Sequence, residues 1–330
     1  MQQFSTVGVI GAGSWGTVVA NLIANKGLPV LLWAHEQEVA KAINREHRNP
    51  RYHPDLALAE DLAATPDLAE LDRVDGPLFL AVPSKYLPAM REDLLNLLYG
   101  KRWISLIKGL VEGRTTVTLY LARAGVEKGV LAGPNLSVEI ARGEPAAAVV
   151  ASESQELARE VQELFAGTNL RVYRSTDVIG VEIGGVVKNV IAIAAGVLAG
   201  LGYGYNARAA LLTRGMAELM RFAERVGAEP RTIMGLSGLG DLIATASTPL
   251  SRNFRVGERL AKGESLSSIT ASMDQVAEGV EAARLVAEWA EGLGVEMPIC
   301  QAVNRVLHQG ADIRETIREL MSRPLKEEFY

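Results

Sequence analysis

Apolar positions fall into two rhythms along this chain, and the change of rhythm near residue 177 sets the first expectation about the fold. In the first half they come as short unbroken runs: TVGVIGA (6–12), PVLLWAH (29–35), PLFLAVP (77–83), RWISLIKG (102–109), GVLAG (129–133), AAAVVAS (146–152) and LRVYRS (170–175). Brief apolar runs bounded by glycine and proline read as buried strands. Between most of them lie segments with helical spacing, for example Leu87 to Tyr99 and Glu153 to Phe165. The first run enters Gly11-Ala-Gly13-Ser-Trp-Gly16, a helical stretch ends at Gly27, and a second strand follows at PVLLWAH. Strand, glycine turn, helix and strand in about thirty residues form the βαβ unit of a doubly wound sheet. Residues 1–176 are therefore expected to be a Rossmann-like α/β dinucleotide-binding domain with a largely parallel sheet.

Past Asp177 the strand-like runs stop. Long helical patterns take over at 178–200, 206–227, 252–263, 275–292 and 298–309, broken by GLSGLGD, by Pro249 and by GLGVEMP. Residues 177–330 thus predict an all-α substrate and catalytic domain. A chain of 330 residues exceeds the size at which a single core usually stops growing, which agrees with two domains. There is no internal repeat and no low-complexity linker, so the domains should share a substantial interface.

Composition narrows the partners. With 48% hydrophobic and 22% charged residues the chain is globular in character. Its 34 basic and 39 acidic residues give a formal charge of −5, and no run of Lys and Arg tracks a nucleic-acid backbone. No nucleic-acid partner is expected, and an anionic ligand must be met by a local basic pocket. The lone Cys300 suits a reducing compartment. The N-terminus lacks a basic leader, so the expectation is a cytoplasmic protein. No metal is expected.

The segment GVEIGGVVKNVIAIAAGVLAG (180–200) carries only two charges, Glu182 and Lys188. Its uncharged part, Val190 to Gly202, is shorter than the roughly 20 residues of a membrane span, so a buried helix is the better reading. Burying an uncompensated ammonium is costly, and Lys188 lies about 120° around a helix from Glu182. Its partner must come from elsewhere, unless its stem carries the charge out to the surface. Gly184 and Gly185, one turn earlier, remove side chains where a flat ligand could approach. In GLSGLGDL (235–242) a glycine-rich loop presents Asp241, with Thr245 a turn later; Asp241 as a helix N-cap is an equal alternative. After Pro249, Ser251, Arg252 and Asn253 offer a hydroxyl, a guanidinium and an amide, which is phosphate-binding chemistry or an ordinary helix start.

Cofactor chemistry gathers at the carboxyl ends of the strands. The glycines of Gly11, Gly13 and Gly16 let backbone approach a pyrophosphate at a helix N-terminus. Glu36 suits an NAD ribose hydroxyl, whereas His35 with Arg45 and Arg48 suits the 2′-phosphate of NADP; a third reading is that they only solvate a helix. NADPH is slightly favoured over NAD. Lys108, with Gly109 leaving room beside it, and Gly133-Pro134-Asn135 end two strands in the same way and make a rim.

These pieces together resemble the bacterial NAD(P)-dependent sn-glycerol-3-phosphate dehydrogenases. The likeness is carried by IGAGSWGT, LLWAHE, AVPS, KGL, GPN, GVEIGGVVKNVIAIAAG, ARAALLTRGMAEL, GLSGLGDL, SRN with Gly257, and VAEG followed by MPI, in the family's order from residue 10 to about 299. The resemblance implies interconversion of sn-glycerol 3-phosphate and dihydroxyacetone phosphate, supplying phospholipid synthesis. It makes Lys188 the proton acceptor and donor, and Lys108 a contact of both cofactor and substrate. Gly133, Asn135, Asp241, Thr245, Ser251, Arg252 and Asn253 fall at the substrate, with Arg252 also near the cofactor. Ser14, Trp15, His35, Ser137, Val276 and Glu278 fall at the cofactor. A homodimer with no membrane span is expected. Two departures stand out. Asn135 replaces the family's Thr or Ser in the GPN segment, and His53 stands in NPRYHP where the family commonly has leucine. Two alternatives remain: a two-domain reductase of a 3-hydroxy acid or ketopantoate-like substrate, and a non-catalytic dinucleotide sensor. SRN and the paired lysines argue against both.

Overall fold

A computed structural model describes residues 4–273 and 275–328. Among these residues eight strands build one sheet: β1 (Val7–Ile10), β2 (Val30–Trp33), β3 (Leu62–Thr65), β4 (Leu78–Leu80), β5 (Arg102–Ser105), β6 (Glu127–Ala132), β7 (Ala146–Ser152) and β8 (Leu170–Ser175). Their order is β3-β2-β1-β4-β5-β6-β7-β8, and every neighbouring pair is parallel except β6 with β7. Chain order reverses at β1, which lies between β2 and β4, so the crevice of a doubly wound sheet opens past the carboxyl ends of β1 and β4. The strand at LAAT was not anticipated from the sequence. It is a four-residue edge strand with alanine at its centre, and alanine carries little strand preference.

Helices α1 (Ser14–Ala24), α2 (Gln37–Glu46), α3 (Leu87–Leu98), α4 (Val117–Tyr120), α5 (Ser137–Ala141) and α6 (Gln155–Phe165) accompany the sheet. Past the last strand, the described residues form helices α7 (Val178–Gly200), α8 (Tyr205–Arg225), α9 (Pro230–Ile233), α10 (Asp241–Ala246), α11 (Arg252–Ala261), α12 (Leu266–Ala271), α13 (Glu278–Leu293), α14 (Pro298–His308) and α15 (Ile313–Met321). The architecture is a Rossmann-like α/β domain followed by a helical domain, as the two rhythms predicted.

Helix α7 is the axle of the second domain. It is long and apolar enough to cross a membrane by length and composition, but 83% of its most apolar window is buried by protein. It packs against α8, α10, α11, α13 and α14. The approach of α11 is close because glycines face each other's backbone. A Cβ on Gly196 would lie 2.0 Å from the Phe254 carbonyl oxygen, and one on Gly257 would lie 1.9 Å from that of Ile193. The buried face of α11 carries Asn253, Phe254, Val256 and Gly257, so the polar start of that helix is pressed against the middle of α7.

Candidate active site

Lys188 is only 4% exposed, and its ammonium does not reach solvent along its stem. Nζ lies 3.1 Å from Asp241 Oδ1 and donates to Thr245 Oγ1 at 2.7 Å. The Thr245 hydroxyl in turn donates to Asp241 Oδ1 at 3.0 Å. The other carboxylate oxygen, Oδ2, accepts from Lys108 Nζ at 2.7 Å. Lys108 also donates to the Gly133 carbonyl at 2.9 Å and to the Asn135 side-chain carbonyl. One buried carboxylate thus ties together two lysines from the two domains. Lys108 comes from just past β5, Gly133 and Asn135 from just past β6, Asp241 and Thr245 from α10, and Lys188 from α7.

The local folding explains how Asp241 gets there. Residues Leu236–Gly240 form a single wide turn that runs directly into α10, so Asp241 is the first residue of that helix and not its cap. Its carboxylate is left to face the lysines. Glu182, the other charge on α7, accepts from the Thr118 amide at 3.0 Å and from the Thr118 hydroxyl, and so caps α4. Lys188 therefore takes its partner from another helix, as the 120° offset required.

Burial dominates the electrostatics. It pushes the Lys188 pKa down to about 7, with the nearby Lys108 and Arg252 charges acting in the same direction and Asp241 opposing them. Burial likewise works against the Arg252 charge, which the Glu278 carboxylate supports. Two lysines and an arginine around one aspartate leave the cluster short of negative charge.

The SRN stretch is partly spent on the fold. Ser251 Oγ accepts from the Phe254 amide at 3.2 Å and caps α11. Asn253 donates to Asn189 Oδ1 at 2.8 Å and accepts from the Gly279 amide at 3.0 Å. Asn189 Nδ2 donates to the Lys108 carbonyl at 3.1 Å, so the residue beside Lys188 braces the strand end that carries the other lysine. Arg252 donates to the Val276 carbonyl at 2.7 Å.

At the glycine turn, each glycine does a different job. Gly11 has φ +119° and a Cβ there would meet the Ala81 backbone at 2.9 Å; a Cβ on Gly16 would lie 2.0 Å from the Gly11 carbonyl oxygen. A Cβ on Gly13 would meet nothing within 4 Å, so that residue faces open space. No side chain among the described residues caps α1, which leaves its first amides free for an anion. The buried indole Nε1 of Trp15 also has no hydrogen-bond partner among them. An open glycine face, uncapped amides and an unspent indole donor fit the pyrophosphate of a dinucleotide.

Of the other cofactor candidates, Glu278 and Val276 border the cluster through Arg252, and the rest make contacts of their own. Ser14 Oγ contacts Ser137 Oγ at 2.7 Å. His35 is exposed just past β2, tilted against Trp33 at 5.8 Å between ring centroids. The neighbouring Glu36 pairs with Arg51 at 2.7 Å. Arg48 donates to the Pro54 carbonyl. Glu278 accepts from the Ser84 amide at 2.8 Å and its hydroxyl at 2.5 Å. Ser84 was not singled out beforehand; the only signal was its place in AVPS after a strand.

Three glycines expected to make room for a ligand make room for protein instead. A Cβ on Gly109 would lie 2.3 Å from both Glu278 Oε2 and Ser84 Oγ. At Gly184 the space belongs to the Ser237 and Gly238 backbone, and at Gly185 to the Lys108 stem. Gly109 and Gly185 thereby let the two domains close on each other beside the lysines, whereas Gly184 lets the Ser237–Gly238 turn close on α7 within the second domain.

Comparison with known proteins follows the same division of the chain. Residues 6–158 match the family model for the N-terminus of NAD-dependent glycerol-3-phosphate dehydrogenase, and residues 177–318 match the model for its C-terminus. The chain is 44% identical to a glycerol-3-phosphate dehydrogenase (NAD(P)+) of Nitratidesulfovibrio vulgaris strain Hildenborough, over 98% of this chain and 99% of that one. It is 45% identical to one from a Parafrankia species, over 96% of each. The crystal structure of glycerol-3-phosphate dehydrogenase from Coxiella burnetii superposes with a TM-score of 0.93 at 35% identity, over 97% of this chain and 99% of that one.

Proposed function

Since this chain belongs to the NAD-dependent glycerol-3-phosphate dehydrogenase family, we propose that the Lys108–Asp241–Lys188 cluster is its catalytic centre and that Lys188 is the general acid and base. The enzyme is an NAD(P)-dependent oxidoreductase that interconverts sn-glycerol 3-phosphate and dihydroxyacetone phosphate. The observation that carries the assignment is a buried lysine with a pKa of about 7, held by a carboxylate between two further cations. A nicotinamide cofactor, held at the Gly11–Gly16 turn, would supply or accept the hydride at C2 of the substrate.

Lys188 takes the C2 hydroxyl proton in oxidation and returns it to the carbonyl oxygen in reduction, and a pKa near the working pH suits both directions. Asp241 and Thr245 hold its Nζ in place. Lys108, fixed by Asp241 and the Gly133 carbonyl, presents positive charge to the oxygen on which negative charge develops. The buried Nδ2 of Asn135 has no partner among the described residues, so the amide that replaces a hydroxyl here keeps a donor for the substrate. Arg252 answers the phosphate, and the Ser251 hydroxyl proton, uncommitted by its capping role, supports it. Asn253, with both ends of its amide engaged, positions the Arg252 helix.

Gly11, Gly13, Ser14, Trp15 and Gly16 hold the cofactor pyrophosphate. His35 lies toward the adenosine ribose. Ser137, Val276 and Glu278 line the remainder. NADPH is favoured because Arg51 covers Glu36, the acid that would otherwise take an NAD ribose hydroxyl. A domain boundary at 176/177 fits the end of β8 and the start of α7. A cytoplasmic homodimer that supplies glycerol 3-phosphate for glycerophospholipid synthesis completes the reading; the buried free thiol of Cys300 fits a reducing compartment. The test is dihydroxyacetone phosphate reduction with NADH and NADPH side by side. Turnover with a lower KM for NADPH is expected, and a lower KM for NADH would reverse the preference.

A further inference from the structure

His53 is 6% exposed and lies in the turn after α2, where its amide donates to the Asn49 carbonyl at 2.9 Å. That turn grips the glycine loop at two points. Asn49 Nδ2 donates to the Ala12 carbonyl at 2.9 Å and to Thr17 Oγ1 at 2.8 Å. His53 Nε2 lies 2.8 Å from Ser14 Oγ and 3.0 Å from the Ser14 carbonyl oxygen. We propose that His53 is a positioning residue for the cofactor, orienting the Ser14–Ser137 hydroxyl pair so that it offers one hydrogen-bond donor to the pyrophosphate. This rests on the reading that the turn Gly11–Gly16 holds that group.

The argument is a count of protons. A carbonyl oxygen only accepts, so the contact with the Ser14 carbonyl places the ring proton on Nε2. Nε2 is then a donor to both Ser14 oxygens, and Ser14 Oγ accepts. Burial lowers the His53 pKa, which favours the neutral ring. Ser14 and Ser137 own two hydroxyl protons between them. Their mutual bond at 2.7 Å consumes one, and His53, acting as a donor, consumes none. One proton is left for an acceptor outside the pair. Accepting from His53 also polarises the Ser14 hydroxyl and strengthens it as a donor. A leucine at this position would leave both hydroxyls free to turn.

The test is the Kd for NADPH, read by its fluorescence on binding, together with steady-state kinetics of His53→Leu and His53→Gln, each also made with Ser14→Ala. His53→Leu is expected to raise the NADPH Kd and KM by about 3- to 10-fold, the size of one hydrogen bond, with the effect on KM and not on kcat. His53→Gln, whose side-chain N–H reaches the place of Nε2, should restore most of the affinity. In the Ser14→Ala background His53→Leu should add nothing. Wild-type affinity in His53→Leu, equal weakness in His53→Gln, or a full additional loss on top of Ser14→Ala would each overturn the proposal. If Ser14→Ala alone binds NADPH as tightly as wild type, the placement of the pyrophosphate falls with it; weakened Ser14→Ala beside unaltered His53→Leu sinks only the role of His53.

Discussion

Lys188 and Glu218 are both buried on long helices of the second domain, and burial drives both toward a pKa of about 7, one from above and one from below. Their surroundings differ. Glu218, on α8, accepts from the Ile299 amide at 2.7 Å and the Cys300 amide at 3.1 Å, and so caps the first turn of α14. Its bonds are to the Ile299 and Cys300 amides and the Cys300 thiol, inside one domain, and it joins two helices. Lys188 meets a carboxylate, a hydroxyl and the fields of Lys108 and Arg252, drawn from three places in the chain and from both domains. A perturbed pKa is common to both and separates nothing. What supports the proposed reaction site at the first is the convergence of charge from both domains with positive charge left over.

The comparison breaks most sharply on turnover. Lys188→Ala is expected to lower kcat by about 10²- to 10⁴-fold while NADPH still binds, whereas Glu218→Gln should keep kcat within a few-fold of wild type. A Lys188→Ala enzyme with wild-type rates would dissolve the distinction. Next in size, Arg252→Ala should raise the KM for dihydroxyacetone phosphate roughly tenfold to a hundredfold, the loss of a charge-assisted bond, with a smaller change in kcat. An unchanged KM would put the phosphate elsewhere.

The smallest effect is on stability, and its signs are opposite for the two groups. Glu218 is raised, so between pH 4.5 and about 7 the folded chain holds a proton that the unfolded chain has lost, and Glu218 makes stability fall as pH rises through that window. Lys188 is lowered, so between about 7 and 10.5 the unfolded chain holds the extra proton and Lys188 makes stability rise with pH. Glu218→Gln should flatten the lower window of a Tm-against-pH curve and leave the upper one intact. A lower window unaltered by the substitution would show that Glu218 does not titrate there.

Much of this was legible in the sequence, for reasons that differ by element. Seven strands announced themselves as short apolar runs, while β3 stayed hidden because LAAT centres on two alanines, which carry little strand preference. Helix α7 matched its apolar span, and an offset of six residues was enough to show that Glu182 was not the partner of Lys188. Periodicity does not say what a glycine faces, however. Gly109, Gly184 and Gly185 read as openings for a ligand, yet each is filled by atoms more than fifty residues away in sequence or by the opposing domain. Hydrogen bonds such as Ser84 to Glu278 and His53 to Ser14 likewise join residues 194 and 39 positions apart, beyond any local pattern.

The most direct test of the central claim is the pH dependence of kcat/KM in both directions. With Lys188 as donor and acceptor, reduction should decline and oxidation should rise as pH passes a common midpoint near 7, and the ionisation should vanish from the residual activity of Lys188→Met. Profiles flat from pH 6 to 9 in both directions, or a midpoint that survives in Lys188→Met, would contradict the account.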